Sequence, residues 1–311
     1  MTAEKNFMVL GASGFVGRHV VDALKKSGFE VSAISRKDCD LRDVGQVKRL
    51  LASTPCRVIV NCAAHVGSLV YVTEQAATVV EDNMRLLLAL YRATAEVSPE
   101  TLIVNPVANC AFPAHLEKFT EGDLWSGPLH RSVMSYGSTR RMMMILSECF
   151  EMQHGVKSLS LFVPNMYGPY ESTDPTKAHA LSALVSKVVK AKRLGERKLE
   201  VWGTGIAIRE WLYAPDFARI VAEVLGEDLA LPAAFNVAQA SGLSVRELVD
   251  ILVEETGFSG EIIWDRSKPD GAPIKVMDDE LFRRVFPAFK FTPIREGIAS
   301  TASYYESVFP Y

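Results

Sequence analysis

Tyr136 and Arg140, within the segment Ser135–Met142, have the residue types and spacing to carry out proton chemistry. On a helix, side chains four residues apart lie on the same face, about one turn from each other. A phenol beside a fixed positive charge ionises more readily, because the charge favours the phenolate. The pair is therefore a candidate proton donor or base for a carbonyl or an alcohol, although the same spacing also occurs on solvated helix faces.

A glycine-rich turn near the N-terminus is the second candidate. Phe7–Leu10 is a short apolar run typical of a buried parallel strand, and GASGFVG at residues 11–17 opens a helical pattern that stops at Gly28. Glycines in such a turn let backbone N–H groups approach a pyrophosphate at the helix N-terminus, where the dipole favours anions. Strand, turn and helix together predict a dinucleotide site. The residues expected to line it are Gly11, Ser13, Gly14, Phe15 and Val16.

The end of the second predicted strand, Glu30–Ser35, indicates which dinucleotide is bound. A free ribose 2′-hydroxyl usually meets an acidic residue at this point, but here Arg36 and Lys37 follow Ser35. Two cations and a hydroxyl suit a 2′-phosphate, so NADP(H) is favoured and NAD(H) stays possible. Asp40 and Leu41 are expected beside the adenine.

Two further strand ends supply candidate residues. Ligands of open parallel sheets bind at the carboxyl ends of strands. The third strand, Arg57–Cys62, runs into a small-residue loop, so Ala63, Ala64 and His65 are expected to face the cofactor. The strand Thr101–Val104 is followed by PVANCAFP, which places Cys110 near the nicotinamide, although a lone cysteine is usually a small buried hydrophobe.

Strand and helix patterns alternate through the first half of the chain. This alternation predicts an α/β fold with a doubly wound parallel (Rossmann) sheet over residues 1–165, to which elements around 205–240 return. Residues 166–204 and 241–311 are expected to form a smaller α/β C-terminal lobe that binds substrate. Further predicted elements are helices at 83–97, 136–155, 180–192 and Ser244–Thr256, and strands at Ser158–Val163, Ala234–Gln239 and Glu261–Trp264.

The composition excludes several classes of protein. The 311 residues carry a net charge of −3, which argues against nucleic acid or an anionic membrane surface as a partner. The five cysteines contain no CxxC pair, so neither a disulfide framework nor a metal site is expected. No apolar run reaches the roughly 18 residues of a membrane helix. A cytoplasmic protein is the expectation.

Six segments together resemble one enzyme family: GASGFVG, NCAAHVGS, Tyr136 with a cation four residues on, PNMYGP, VWGTGIAIREWLY and SKPDGAPIK. In order and spacing they are similar to the extended short-chain dehydrogenase/reductases of the epimerase/dehydratase family, and within them to the GDP-L-fucose synthases. The resemblance covers nearly the whole chain. It implies 3,5-epimerisation of a nucleotide-linked 4-keto-deoxysugar, with GDP as the favoured nucleotide, followed by NADPH-dependent reduction at C4.

The resemblance also implies residue roles. Cys110 and His179 match the acid/base pair of the epimerisation, and Tyr136 matches the tyrosine that protonates the sugar oxygen. Arg209 and Lys275 match positions that contact phosphate. The implied cofactor contacts beyond the loops above are Tyr136, Arg140, Pro164, Asn165, Met166 and His179. The implied substrate contacts are Val66, Gly67, Cys110, Asn165, Val185, Lys187, Trp202, Arg209 and Lys275.

Two positions depart from the family pattern. The family lysine four residues after the tyrosine is Arg140, which keeps the charge but cannot relay a proton. The family serine two residues before the cysteine is Ala108, so Asn109 or Ser135 would have to supply the missing polar group. The reduction step is therefore the one in question.

Three alternatives remain open at this point. The protein could be an epimerase that has lost the reduction, a nucleotide-sugar 4-epimerase or dehydratase with tightly bound NAD, or a non-catalytic NADP-binding protein. Relatives commonly pair through a four-helix interface, for which the helices at 83–97 and 138–154 would serve. A homodimer is therefore expected.

Overall fold

The computed structural model describes residues 6–174, 177–226, 231–268 and 270–311. The first half of the chain contains β1 (Asn6–Leu10), α1 (Phe15–Lys26), β2 (Glu30–Ile34), α2 (Val44–Ser53), β3 (Val58–Asn61), α3 (Leu69–Glu74), α4 (Ala76–Val97), β4 (Leu102–Ala108), β5 (Lys118–Phe119), α5 (Met134–His154) and β6 (Ser158–Val163). The second half contains β7 (Asn165–Tyr167), α6 (Ala180–Leu194), β8 (Lys198–Trp202), β9 (Ile208–Arg209), β10 (Trp211–Tyr213), α7 (Ala214–Gly226), β11 (Ala234–Asn236), β12 (Leu243–Ser244), α8 (Val245–Thr256), β13 (Glu261–Asp265), β14 (Ile274–Met277), α9 (Glu280–Val285) and α10 (Ile294–Val308).

A six-stranded parallel sheet is the centre of the fold. Its strand order is β11-β6-β4-β3-β1-β2, and every neighbouring pair is parallel. The direction of strand addition reverses between β1 and β3, so a crevice opens beyond the carboxyl ends of these two strands, where open sheets bind ligands. The predicted α/β fold with a Rossmann-like parallel sheet is confirmed.

Helices cover both faces of this sheet. Phe7 and Val9 of β1 point into one apolar core with α1 and α7, whereas Met8 and Leu10 point into another with α2, α4 and α5. Successive side chains of a strand point to opposite faces, so a strand buried on both faces must be apolar throughout. This is why Phe7–Leu10 is a continuous apolar run.

A third apolar core lies outside the sheet, between α6, α8 and α10. The parallel pair β8 and β13 belongs to the same part of the chain. β11 returns to the central sheet beside β6, and β14 pairs with both β5 and β9. The division of the chain into a cofactor domain and a substrate lobe remains a prediction.

Several boundaries differ from those predicted. β4 continues four residues beyond Val104, because Pro106 pairs in register with Leu161 although it lacks an N–H group. α4 begins at Ala76, seven residues before Asn83. Ala234–Gln239 forms a strand only as far as Asn236. Within the described part of the chain, no helix combines the length and the hydrophobicity required to span a membrane.

Candidate active site

The turn after β1 packs so closely that two of its positions have no room for a side chain. Gly11 has a φ of +73°, and a Cβ at this position would lie 2.9 Å from the backbone of Ala63 in the loop after β3. A Cβ on Gly17 would lie 2.2 Å from the carbonyl oxygen of Gly11. α1 begins at Phe15 after Gly14, which offers no side-chain cap to the helix N-terminus. The cradle therefore fits a pyrophosphate between Ser13 and Val16.

The loop after β3 is fixed by the side chain of His65. Its Nδ1 bonds Asp82 Oδ2 at 2.7 Å, and its Nε2 bonds the hydroxyl of Tyr71 at 2.7 Å. Because both ring nitrogens are engaged, His65 braces this loop. Within it, Ala64 is exposed and Gly67 is buried, with an added Cβ only 2.7 Å from the ring of Tyr71.

The end of β2 carries an accessible cation. Arg36 is exposed, whereas the neighbouring Ser35 bonds Asp38 through its N–H and its hydroxyl. Asp40 is paired with Arg42, which lowers the pKa of this carboxyl group to about 2. The half-buried Leu41 contributes to the core below. Arg36 is thus positioned to meet a 2′-phosphate.

Cys110 and the helix that carries Tyr136 are in close contact. Cys110 lies in a single turn of 3-10 helix, residues 109–111, directly after β4. A Cβ on Gly137 would lie 2.6 Å from the carbonyl oxygen of Cys110, so glycine at this position lets α5 approach. Burial raises the pKa of the Cys110 thiol to about 12, although the positive charge of Arg140 acts in the opposite direction.

Arg140 lies against the face of Tyr136 and is almost fully buried. Its Cζ is 4.8 Å from the centre of the Tyr136 ring, and its Nη2 donates to Asn83 Oδ1 at 3.1 Å. Its buried Nε has no partner among the described residues. A buried donor without an acceptor is costly, so this nitrogen is available to a bound group such as the cofactor ribose.

The prediction that Arg140 lowers the pKa of Tyr136 is only partly correct. Arg140 does act to lower the pKa of the phenol, but burial raises it more, so the net direction is upward. The sequence correctly placed the positive charge of Arg140 beside Tyr136. It could not show how far the Tyr136 ring is buried, because burial depends on how the helices and loops pack. The phenol is therefore held in its protonated form.

Ser135, one of the two residues expected to supply the polar group missing at Ala108, is already hydrogen-bonded. Its hydroxyl is buried and donates to the carbonyl oxygen of Val72 at 2.6 Å. Asn109, half-buried beside Cys110, is the remaining candidate for a polar contact with a sugar oxygen. The sequence did not show that the Ser135 hydroxyl joins α5 to α3, and which of the two residues supplies the polar group stays a prediction.

His179 has a carboxylate partner. It occupies the N-cap position of α6, but its side chain does not cap the helix. Instead its Nδ1 bonds Glu171 Oε2 at 2.7 Å. Burial lowers the pKa of the imidazole, and the hydrogen bond and charge of Glu171 outweigh it, so the net direction is upward.

The strand after β6 carries the implied contacts at residues 164–166. Pro164 is buried, whereas Asn165 and Met166 are half-buried in β7. β7 pairs with β10 in parallel, and the side-chain amide of Asn165 donates to the carbonyl oxygen of Glu210 at 3.3 Å. This pairing connects the cofactor side of the fold to the strand that follows Arg209.

The two cations implied as phosphate contacts differ in their availability. Arg209 is half-buried and donates to the carbonyl oxygens of Ile208 and Asp270. The ammonium of Lys275 donates to three carbonyl oxygens, those of Pro113, Ala114 and Leu116, at 2.7–3.2 Å. An ammonium has three N–H donors, so all of them are used. Lys275 fixes the loop after Cys110, and a phosphate would have to displace one of these bonds.

Four other implied substrate contacts lie in different surroundings. Val185 is completely buried in the core between α6, α8 and α10. Its side chain reaches no surface, so a direct contact between this side chain and the substrate is not supported. Lys187 is exposed and donates to the carbonyl oxygen of Glu200. Trp202 is 58% exposed, not part of a core, and lies 5.3 Å from Lys268 Nζ. Val66 is half-buried in the loop after β3.

Glu210 is a functional candidate that the sequence did not reveal. Its carboxylate is fully buried and accepts from the backbone N–H groups of Gln239 at 2.6 Å and Met277 at 2.8 Å. It therefore joins the strand next to Arg209 to the end of β14. Burial raises the pKa of this carboxyl group to about 7, because its effect is larger than the lowering by the backbone N–H donors.

The raised pKa of Glu210 predicts a pH-dependent stability. A group whose pKa is higher in the folded than in the unfolded state stabilises the protein below its unfolded value, near 4.5. That contribution is lost as the pH rises through about 7. Between pH 5 and 8 the free energy of unfolding should fall by roughly 3 kcal/mol more for the native protein than for Glu210→Gln.

Urea unfolding at pH 5, 6, 7 and 8 would measure this difference. The variant is expected to be less stable at low pH, because its amide presents N–H groups to backbone donors, but its stability should vary less with pH. Glu247→Gln is the matched control, since the pKa of Glu247 is lowered and its titration falls below this range. Parallel pH profiles for the native protein and Glu210→Gln would contradict the prediction.

Comparison with known proteins gives a consistent result. The model of the NAD dependent epimerase/dehydratase family matches residues 7–238. GDP-L-fucose synthase of Azorhizobium caulinodans is 29% identical over 98% of this chain and 97% of its own length. GDP-L-colitose synthase of Yersinia pseudotuberculosis is 24% identical over 96% and 97%.

Solved structures show the same fold. A GDP-L-fucose synthetase of Naegleria fowleri bound to NADP superposes with a TM-score of 0.87 at 23% identity, covering 99% of this chain and 95% of that one. A GDP-6-OMe-4-keto-L-xylo-heptose reductase of Campylobacter jejuni gives a TM-score of 0.88 at 19% identity, covering 99% of both chains. With the family model matching most of its length, the chain belongs to the NAD dependent epimerase/dehydratase family.

Proposed function

We propose that this protein is a nucleotide-sugar epimerase and reductase that acts on a GDP-linked 4-keto-deoxysugar. The observation that carries the proposal is the contact between the turn of Cys110 and the helix of Tyr136, with Arg140 acting on both side chains. The names of the relatives, GDP-L-fucose synthase and GDP-L-colitose synthase, support the substrate class.

The epimerisation needs a base and an acid at carbons adjacent to the ketone. One group removes the proton from C3 or C5 to give an enolate, and the other returns a proton from the opposite side. Cys110 and His179 are the proposed pair. Both groups favour their protonated forms, so one must release a proton before it acts as base. The charge of Arg140 favours the thiolate of Cys110 and would assist that release.

Reduction would follow at C4. Bound NADPH supplies the hydride for this step. Tyr136, held as a phenol by burial, is suited to donate its proton to the O4 atom as the ketone becomes an alcohol. Arg140 would stabilise the phenolate that remains, through its charge over the ring, and its unpartnered Nε suits a ribose hydroxyl.

The decisive experiment supplies GDP-4-keto-6-deoxymannose in deuterated water, with and without NADPH. The proposal expects solvent deuterium at C3 and C5 in both samples, and NADPH oxidation in stoichiometry with the alcohol product. No deuterium and no oxidation would refute it. The 4-epimerase alternative would replace this proposal if the protein contained tightly bound NAD and inverted C4 without incorporating solvent deuterium.

A second candidate is an epimerase without the reduction. One observation favours it: the position of the family serine is Ala108, and the nearby Ser135 hydroxyl donates to the carbonyl oxygen of Val72. The same experiment separates the two functions, because deuterium incorporation without NADPH oxidation would identify the epimerase alone.

The accessible charge at Arg36 predicts a preference for NADPH over NADH. Arg36→Ala should weaken the binding of NADPH about 10–100-fold, because a charged hydrogen bond to the 2′-phosphate contributes about 1.5–3 kcal/mol. NADH affinity should change little. Fluorescence titration with both cofactors measures the two constants, and Lys25→Ala, an exposed cation at the far end of α1, is the control. Equal weakening of both cofactors would argue against a 2′-phosphate contact.

We propose that the protein is a cytoplasmic homodimer assembled through α4 and α5. These two helices pack together and still expose large apolar side chains, namely Val80, Leu88, Met142, Ile145 and Met152. An apolar stripe of this kind suits a four-helix interface between two copies. Ile145→Asp is expected to shift the mass measured by light scattering from dimer to monomer, whereas Ile206→Asp, an exposed apolar residue elsewhere, should not. A native protein of monomer mass would exclude the assembly.

A further inference from the structure

We propose that Glu171 is the positioning residue of His179, fixing the orientation and the tautomer of the imidazole that handles a proton next to the ketone. This inference rests on the epimerisation proposed above. Glu171 Oε2 lies 2.7 Å from Nδ1 of His179, and its side chain is 6% exposed, whereas that of His179 is 39% exposed. One ring nitrogen is therefore held by a buried carboxylate, and Nε2, which has no hydrogen-bond partner among the residues that the structure describes, is left for the substrate.

The bond decides which nitrogen carries the proton. Carboxylate oxygens only accept hydrogen bonds, so Nδ1 must be the donor. In the neutral imidazole Nε2 then has a lone pair and can take a proton; in the charged form Nε2 carries the proton and can return it. Either role of His179 in epimerisation requires this arrangement.

The carboxylate is itself held on its other side. Oε1 of Glu171 accepts from the backbone N–H of Ser172 at 3.1 Å. The residue before it, Tyr170, has a φ of +68°, in the left-handed region that bulky side chains rarely adopt. Backbone strain of this kind persists only where surrounding contacts hold it, and it is common next to functional groups.

Contacts from two helices hold this turn. Nε2 of His19 on α1 lies 2.9 Å from the carbonyl oxygen of Pro169, and Arg18 lies over the ring of Tyr170 at 5.3 Å. From α10, Tyr304 packs against Tyr170 with ring centres 5.1 Å apart. Because α1 begins at the glycine turn, the carboxylate that orients His179 is anchored to the helix that opens the cofactor cradle.

Glu171→Gln tests the proposal. The amide oxygen is required by the N–H of Ser172, so the amide N–H₂ would face Nδ1 of His179 and force the opposite tautomer. Deuterium exchange at C3 and C5 should fall at least about tenfold in kcat, with little change in KM. At a pH high enough for the imidazole to be neutral, the ¹⁵N chemical shifts of His179 should report protonated Nδ1 in the native protein and protonated Nε2 in the variant.

Tyr305→Phe is the matched control for packing. The Tyr305 hydroxyl lies near the carbonyl oxygens of Glu171 and Ser172 but does not touch the carboxylate, so kcat should stay near the native value. The proposal would be overturned if Glu171→Gln catalysed deuterium exchange with the native kcat, or if His179 kept the same tautomer in this variant. If the native protein itself shows no exchange, the proposed function fails, and the nitrogen shifts alone still decide whether Glu171 sets the tautomer of His179.

Discussion

Cys110→Ala is expected to lower the rate of solvent-deuterium incorporation at C3 and C5 of the keto sugar by about 10²–10⁴-fold. The alanine removes a proton-transfer group whose position is fixed by the contact between its carbonyl oxygen and Gly137. Since the turn at residues 109–111 and its backbone bonds are unchanged, the fold and the affinity for NADPH should be retained. The loss would then belong to the chemical step.

The exchange rate is best followed by mass spectrometry or NMR of the recovered sugar, with NADPH absent so that reduction does not compete. Cys149→Ala is the control, because Cys149 is an exposed thiol on α5. It should exchange at the native rate. If Cys110→Ala also exchanged at that rate, the assignment of Cys110 as half of the acid/base pair would be wrong.

Tyr136→Phe is expected to slow NADPH oxidation by about 10²–10⁴-fold while leaving deuterium exchange nearly unchanged. The substitution removes only the hydroxyl, so the ring can still pack under the guanidinium of Arg140. Without the phenol, the O4 atom has no donor in this position as hydride arrives at C4. Epimerisation should not need that donor, because Cys110 and His179 are the groups proposed to transfer its protons.

Stopped-flow absorbance of NADPH, beside the exchange measurement, separates the two steps in one protein. Tyr304→Phe on α10 removes a hydroxyl but keeps the ring that packs against Tyr170, and it is expected to behave as the native protein. Equal losses of exchange and reduction in Tyr136→Phe would mean that the tyrosine serves both steps. Native rates for both would exclude it as the proton donor.

Much of the fold could be predicted from local patterns. The glycine turn, the apolar run of β1, the end of α5 at the left-handed Gly155 and the start of α8 at Ser244 all appear where predicted. Each depends on the chemistry of a few neighbouring residues. The strand ends then follow, because parallel strands bring their carboxyl ends to one edge.

Less of the candidate site could be predicted, because the pKa values and hydrogen bonds of its side chains depend on contacts between segments far apart in the chain. The net pKa of Tyr136 reflects burial, which spacing along a helix does not show. Lys275 is bonded to carbonyl oxygens about 160 residues away in the chain, so its matching position did not imply a free charge. The partnership of His179 with Glu171 crosses a loop without a recognisable pattern.

Gly137 has a wider consequence. The missing side chain at this position sets the distance between α5 and the turn of Cys110, and therefore between the groups proposed for the two half-reactions. Any side chain at position 137 would move the helix of Tyr136 away from the turn of Cys110. Evolution or engineering could then retune epimerisation against reduction only by exchanging the reacting groups themselves, because the spacing that serves one step is the spacing that serves the other.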